Sequence, residues 1–320
     1  MKFYFAPLEG VTGYIYRNAY NKYFGEIDKY FTPFIVPTMN CILTSREKND
    51  IIPEHNEGMV VVPQILTNNA EYFLDTVEKL QEYGYNEINL NLGCPSGTVV
   101  SKFKGSGFLA KRDELDAFLE EVFSKTSAKI SLKTRIGKDS PEEFYELIKI
   151  FNKYPLEELI IHPRIRQEYY KNVPNMDVFK DAIQLSTNPL CYNGDIFNVE
   201  DYQRIREECP TIDKIMLGRG IIANPALVKE IRSGWQVDKA VLKSFHNEVF
   251  EGYKEVLSGD INALYRMKEF WHYMINVFED GDKYAKKIKR SKSVQEYNQI
   301  VTALFNELKI EEDTKLRGFK

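Results

Sequence analysis

Eight short apolar runs recur along this chain, each separated from the next by a longer, more polar stretch. They are Phe3–Pro7, Tyr30–Val36, Met59–Ile65, Glu87–Leu92, Lys129–Arg135, Leu159–His162, Pro189–Asn193 and Lys214–Leu217. None is long enough to be a helix, and several are rich in Val and Ile, as strands of a parallel sheet buried on both faces are. The stretches between them carry helical periodicity. In 69–83, Tyr72, Phe73, Val77 and Leu80 share one face, and Gly84 ends the run. In 113–125, Leu115, Phe118, Leu119 and Val122 do the same. Ser140-Pro141-Glu142-Glu143 supplies an N-cap, a first-turn proline and first-turn acids. Strands alternating with helices, without the glycine order of a dinucleotide-binding unit, predict the α/β class and a closed (β/α)8 TIM barrel. Region 37–58 reads as an extended loop with one helical turn.

The pattern changes near residue 235. Residues 240–257, 261–278 and 293–309 read as amphipathic helices, with Ser258-Gly259-Asp260 as a break, and no further strand-like run follows. The expected organisation is a barrel domain over 1–235 and a C-terminal all-α helical domain over 236–320.

Composition narrows the function classes. Of 320 residues, 43% are hydrophobic, enough for a large core, yet no apolar stretch approaches the roughly 18 residues of a membrane span. The N-terminus lacks the pattern of a signal peptide. The expectation is a soluble, cytoplasmic protein. The four cysteines, Cys41, Cys94, Cys191 and Cys209, make no CxxC pair, so no zinc signature is present and no metal is expected. Cys41, Cys191 and Cys209 are expected as small buried apolar residues. The net charge of −4 gives no general basic footprint for nucleic acid. One window departs from it: residues 283–292 hold six basic residues and no acidic one. Such a window is either a solvated helix face or a patch for phosphates. With no exposed apolar helix face in evidence, a monomer is expected.

In a barrel of this kind, functional groups gather at the C-terminal ends of the strands. The runs close with Ala6-Pro7-Leu8, Gln64, Asn89-Leu90-Asn91-Leu92-Gly93-Cys94-Pro95, Lys133 and Arg135, His162-Pro163-Arg164, Asn193-Gly194-Asp195 and Gly218-Arg219-Gly220. Turn residues alone do not account for Gln, Lys and His at successive strand ends. The glycines after the seventh and eighth strands would expose backbone N–H groups to a phosphate, with Arg219 adding charge. Lys133 would bring a cation to the barrel mouth, where it suits the N1–C2=O edge of a reduced flavin. Gln64 could bond the flavin's pyrimidine edge, and His162 that edge or the ribityl chain. Cys94, between Gly93 and Pro95, would be exposed at the rim as a nucleophile, a metal ligand or a proton donor; no partner thiols support a metal.

At these residues the chain resembles the tRNA-dihydrouridine synthase family. The matching stretches are APLEGVT from Ala6, INLNLGCP from Ile88, KFKGSGFL from Lys102, SLKTRIG from Ser131, HPR from His162, YNGDI from Tyr192 and MLGRG from Met216. They span residues 1 to about 235 in the family's order, and the helical tail has the family's place. Leu8 stands where many members have Met, and Pro163 and Ile165 where many have Gly and Thr.

The resemblance implies FMN as cofactor, NADPH or NADH as reductant and tRNA as substrate. It implies that Pro7, Gln64, Lys133, His162, Asn193, Gly194, Asp195, Gly218 and Arg219 hold FMN. Asn91 and Arg135 would orient an extruded uracil, with Lys102 and Arg164 on the substrate as well. Cys94 would be the acid that protonates uracil C5 after hydride reaches C6 from flavin N5. Lys286, Lys287 and Arg290 would grip the RNA backbone. Competing readings are an FMN barrel acting on a small pyrimidine or enone, or on uridine in another structured RNA. A non-catalytic RNA-binding barrel and a flavin-free phosphosugar isomerase are the others.

Overall fold

The computed structural model describes residues 1–311; the last part of the expected helical domain, 312–320, lies outside the described residues. Nine strand segments form one sheet: β1 (Lys2–Phe5), β2 (Lys29–Phe31), β3 (Val61–Val62), β4 (Gln64–Ile65), β5 (Glu87–Leu92), β6 (Lys129–Gly137), β7 (Leu159–Ile165), β8 (Leu190–Tyr192) and β9 (Lys214–Leu217). Their order is β3-β2-β1-β9-β8-β7-β6-β5-β4, and neighbours are parallel. The two ends of that order, β3 and β4, are consecutive in sequence and separated by Pro63. They are halves of one strand, which pairs with β2 before the proline and with β5 after it. The sheet is therefore a closed barrel of eight staves, as the apolar runs predict. Proline interrupts the third stave because it has no N–H to donate; its carbonyl still accepts from the Asn89 N–H at 2.9 Å.

Side chains alternate between two cores. Tyr4, Ala6, Phe31, Val62, Ile160, Cys191 and Met216 fill the barrel interior. The opposite faces of the same strands pack under the surrounding helices. At the N-terminal end a polar plug closes the barrel: Tyr4 Oη donates to Glu158 Oε1 at 2.6 Å, and the Lys29 ammonium lies 2.8 Å from Glu87 and 3.1 Å from Glu158. The opposite mouth is left for chemistry. Cys191 and Cys209 are buried as expected, whereas Cys41 is half-buried on a left-handed backbone.

Region 37–58 is more helical than the sequence reading allows. A helix runs Ser45–Ile51, followed by a 3-10 turn at Pro53–His55. Thr44 and Glu47 form a reciprocal capping box at its start, a T-x-x-E signal that was legible in the sequence. The buried Arg17 then locks this helix to the barrel, bonding Asp50 and Asn56.

Among the described residues the tail has four helices rather than three: Lys239–Val256, Asp260–Met274, Asp282–Arg290 and Val294–Glu307. The extra one is the basic window itself, folded as a nine-residue helix. The tail is seated on the barrel's C-terminal rim. Tyr253 Oη donates to the Val11 carbonyl, and Arg266 donates to that of Gly10, both in the loop after β1. Phe245 meets Tyr16 and Phe24 of the barrel edge-on.

The bundle's centre is a polar triad. The Trp271 indole, which can only donate, gives its proton to Tyr297 Oη at 2.8 Å, and that hydroxyl lies 2.6 Å from His246 Nε2. Asn247 Oδ1 can only accept, so the ring proton sits on Nδ1, and Nε2 accepts from the Tyr297 hydroxyl. Burial holds the imidazole down to about 4, from an ordinary 6.5. A histidine depressed in the folded state stabilises the fold fully above 6.5 and loses that contribution as pH falls toward 4. At ~1.4 kcal/mol per pH unit this amounts to about 3 kcal/mol. Unfolding curves of the wild type and His246→Gln should converge as pH drops through that window. Curves that stay parallel would show that His246 does not titrate there.

Candidate functional site

The mouth is built on a ladder of amides. Asn89 and Asn91 lie two apart on β5 and so share its inward face. Asn89 Nδ2 donates to Ser131 Oγ at 2.9 Å, while its Oδ1 accepts from Gln64 Nε2 at 2.7 Å. Gln64 Oε1 in turn accepts from Asn91 Nδ2 at 2.7 Å. Asn91 Oδ1 then accepts the backbone N–H groups of Gly93 (3.0 Å) and Cys94 (2.9 Å). Gln64 and Asn91, expected on cofactor and uracil, thus have their amides engaged within the protein, and the ladder ends on the Cys94 turn. Asn89 and Ser131 belong to it, and the sequence reading gave neither of them a role. The Asn-Leu-Asn alternation on a buried strand was the available signal.

Cys94 is fixed from the other side as well. Its carbonyl accepts from the Ser106 N–H (3.1 Å) and Ser106 Oγ (2.8 Å). Gly105 makes this approach possible. It adopts φ +55°, and a Cβ there would sit 2.8 Å from the Cys94 carbonyl oxygen. Burial pushes the Cys94 thiol up from its ordinary value, outweighing the opposing pull of the Ser96 backbone N–H and then of Arg135 and Lys133. The group stays a protonated thiol at neutral pH.

Four cations and an acid line the rest of the mouth. Lys133 projects from β6, with burial and then Arg135 lowering its ammonium to about 8. Arg135 is 1% exposed and bonds three carbonyls: Gly93 at 3.0 Å, Ile165 at 2.9 Å and Tyr169 at 2.7 Å. Arg164, fully buried, uses all five of its donors. They go to His162 Nε2, the Lys171 and Asn172 carbonyls, and both oxygens of Asp195. Since arginine can only donate, His162 Nε2 is an acceptor and its ring is neutral. Burial and then Arg135, Lys133, Arg164 and Arg219 hold it well below its ordinary value. Asp195 also takes Arg219 Nη2 at 2.6 Å. Asn193 ties β8 to β9 through the Met216 carbonyl at 2.8 Å.

Pro7, Lys133, His162, Asn193, Gly194, Asp195, Gly218 and Arg219 line one recess; Gln64 lies in the adjacent amide ladder. Gly220 lets the loops after β8 and β9 touch: a Cβ there would collide with the Ile196 carbonyl. Tyr170 was not foreseen. Its ring stacks 4.4 Å from the Arg219 guanidinium and lies 6.0 Å from the His162 ring, and it covers a recess of about 60 Å³. Lys102 is exposed on the loop that returns to Cys94. Lys286, Lys287 and Arg290 are apart from the recess, exposed on helix Asp282–Arg290. None of the three forms an ion pair among the described residues. Those residues also include no cluster of His, Cys, Asp and Glu suited to a metal, and no helix long and apolar enough to cross a membrane.

The family model described as "Dihydrouridine synthase (Dus)" matches residues 4–317. A probable tRNA-dihydrouridine synthase of Staphylococcus aureus is 26% identical, the match covering 98% of this chain and 95% of that one. A tRNA-dihydrouridine(16) synthase of Pseudomonas putida is 31% identical over 72% of this chain and 73% of its own. Among solved structures, the old yellow enzyme from Trypanosoma cruzi superposes with a TM-score of 0.54 at 10% identity, covering 80% of this chain and 94% of that one. A morphinone reductase mutant in complex with tetrahydroNAD gives 0.53 at 13%, covering 75% and 89%. At such identities these two speak for the barrel fold alone.

Proposed function

This chain belongs to the dihydrouridine synthase family, and from that premise we propose that it reduces uridine to 5,6-dihydrouridine in tRNA, with FMN at the barrel mouth and NADPH or NADH as reductant. The observation that carries the reading is the Cys94 thiol. It keeps its proton, and its turn is held from both sides at the rim of a cationic recess.

The recess has the donors that FMN needs. Arg219 and the backbone at Gly194 and Gly218 suit a phosphate, and the neutral His162 a ribityl hydroxyl. Lys133 suits a flavin ring that gains negative charge on reduction. A recess of about 60 Å³ is far below the roughly 300–1,000 Å³ of ordinary ligand sites. Tyr170, half-exposed on the loop after β7 and lying over Arg219, would have to turn outward to make room.

FMN held by these residues would be the source of the hydride for uracil C6. Cys94 donates its proton to C5, which completes the addition of one hydride and one proton across the double bond. Lys133 and Arg135, both cationic beside it, stabilise the thiolate left behind until solvent returns the proton. Arg135 and the amide ladder keep the Cys94 turn in place. A stacked uridine reaches the mouth by extrusion from the RNA. Barrel 1–235 carries the chemistry and the tail, 236–320, holds RNA.

Nucleoside analysis of RNA from cells with and without the gene tests this directly. Dihydrouridine should vanish at defined tRNA positions in the deletion. An unchanged profile, with no redundant enzyme present, would leave a small-molecule flavin reductase as the better account.

A further inference from the structure

The loop from Ser101 to Arg112 carries a feature that the chemistry above leaves unused. Phe103 is 46% exposed, and its backbone is left-handed at φ +52°. An aromatic residue is seldom found in either condition, and both together go against stability. The left-handed turn itself caps the short helix Gly97–Val100, with the Phe103 N–H on the Val100 carbonyl and the Lys104 N–H on that of Val99. What packing does not explain is an aromatic at that position, since glycine is the usual residue there and the ring is turned out to solvent. Nor is the loop loosely attached. Ser106 binds the Cys94 carbonyl twice, and Asn68 Nδ2 donates to the Lys102 carbonyl at 3.2 Å. Phe103 is thus held at a fixed offset from the proton donor.

Its surroundings name the partner. Residues 101–112 contain Lys102, Lys104, Lys111 and Arg112 and no acidic residue, in a chain whose net charge is −4. The Lys111 ammonium lies 4.8 Å from the Phe103 ring centroid. A strained, solvent-facing aromatic between lysines has the makings of a single-stranded nucleic-acid contact: a ring for a base and cations for the phosphates on either side. Extruding a uridine into the mouth leaves its neighbour with one bare face.

We propose that Phe103 stacks on the nucleobase adjacent to the extruded uridine, with Lys102 and Lys104 on the flanking phosphates. The inference rests on the uridine-reductase reading and adds to it a specific RNA contact.

The test compares Phe103→Ala, Phe103→Leu, Phe103→Trp and Phe103→Gly in the full chain. Stacking on one base is worth about 1–3 kcal/mol, so kcat/KM on folded tRNA should fall between about fivefold and about 150-fold in the Ala variant. Leu should be as poor as Ala, and Trp should restore the wild-type value. Gly, which is at ease at positive φ, should melt no lower than wild type yet be as defective as Ala. Reduction of the bound flavin by NADPH, a step without RNA, should be unchanged throughout. With 2-aminopurine beside the target uridine, the wild type should quench its fluorescence more than the Ala variant does. Wild-type kcat/KM in the Ala or Leu variant overturns the proposal, and so does an equal loss in flavin reduction. A wild-type chain that reduces no uridine removes the parent reading, an outcome distinct from either of these.

Discussion

Cys94→Ala should lower uridine reduction in tRNA by roughly 10²–10⁴-fold, the usual contribution of a positioned general acid, while flavin loading, flavin reduction and RNA binding stay near wild type. The separation is expected because Cys94 touches the site through its side chain alone. Its backbone, which the Asn91 and Ser106 bonds hold, is the same in alanine. Cys94→Ser should recover little, since a hydroxyl is a far weaker acid than a thiol. The pH profile identifies the donor independently. A general acid works while protonated, and burial raises the Cys94 thiol above its ordinary 9.0. Turnover should hold through neutral pH and fall only on the alkaline side. His162 as the donor would give the opposite profile, because its imidazole is held well below 6.5 and would carry the extra proton only in acid. Single-turnover rates across pH decide between them. An alanine variant that reduces uridine at the wild-type rate removes Cys94 from the mechanism.

The barrel was legible because burial on both faces writes itself into short, continuous apolar runs. All eight staves fall on the predicted segments. The break at Pro63 left the third run intact as hydrophobicity while splitting it as hydrogen bonding. The helix at Ser45–Ile51 exceeds the single helical turn expected there, because its residues, SREKNDI, show little apolar periodicity to read; its capping box was the stronger signal. At the mouth, residue type and strand position were readable, and pairing was not. Arg135 and Arg164 were expected on substrate, yet their donors go to carbonyls 7 to 42 residues away, and Arg164 also to Asp195. Such partners are set by the closure of the barrel, which no local pattern encodes. Tyr170 is the same case, since its place over Arg219 depends on how the loop after β7 folds back.

Reversing three charges, Lys286→Glu, Lys287→Glu and Arg290→Glu together, should weaken tRNA binding roughly hundredfold or more at physiological salt. Each phosphate contact releases close to one counterion, so three contacts contribute about two and a half powers of salt concentration. Between 1 M and 0.15 M that is on the order of 10², before any repulsion from the new carboxylates is added. The three side chains are exposed and form no ion pair among the described residues, so the fold should tolerate the change. The inward face of that helix, Tyr284 and Ile288, is untouched. Charge reversal also tests the RNA reading better than deleting the tail. Deletion would bare Tyr16 and Phe24 where Phe245 packs on them, and would free the Gly10 and Val11 carbonyls beside the mouth. Activity lost by deletion would then reflect a damaged barrel as easily as a missing RNA grip. The triple variant leaves that interface whole, so RNA affinity and its salt dependence should fall together while NADPH still reduces the flavin. Unchanged affinity with an unchanged salt slope would make the basic helix a solvated face, and the grip on RNA would have to lie elsewhere on the rim.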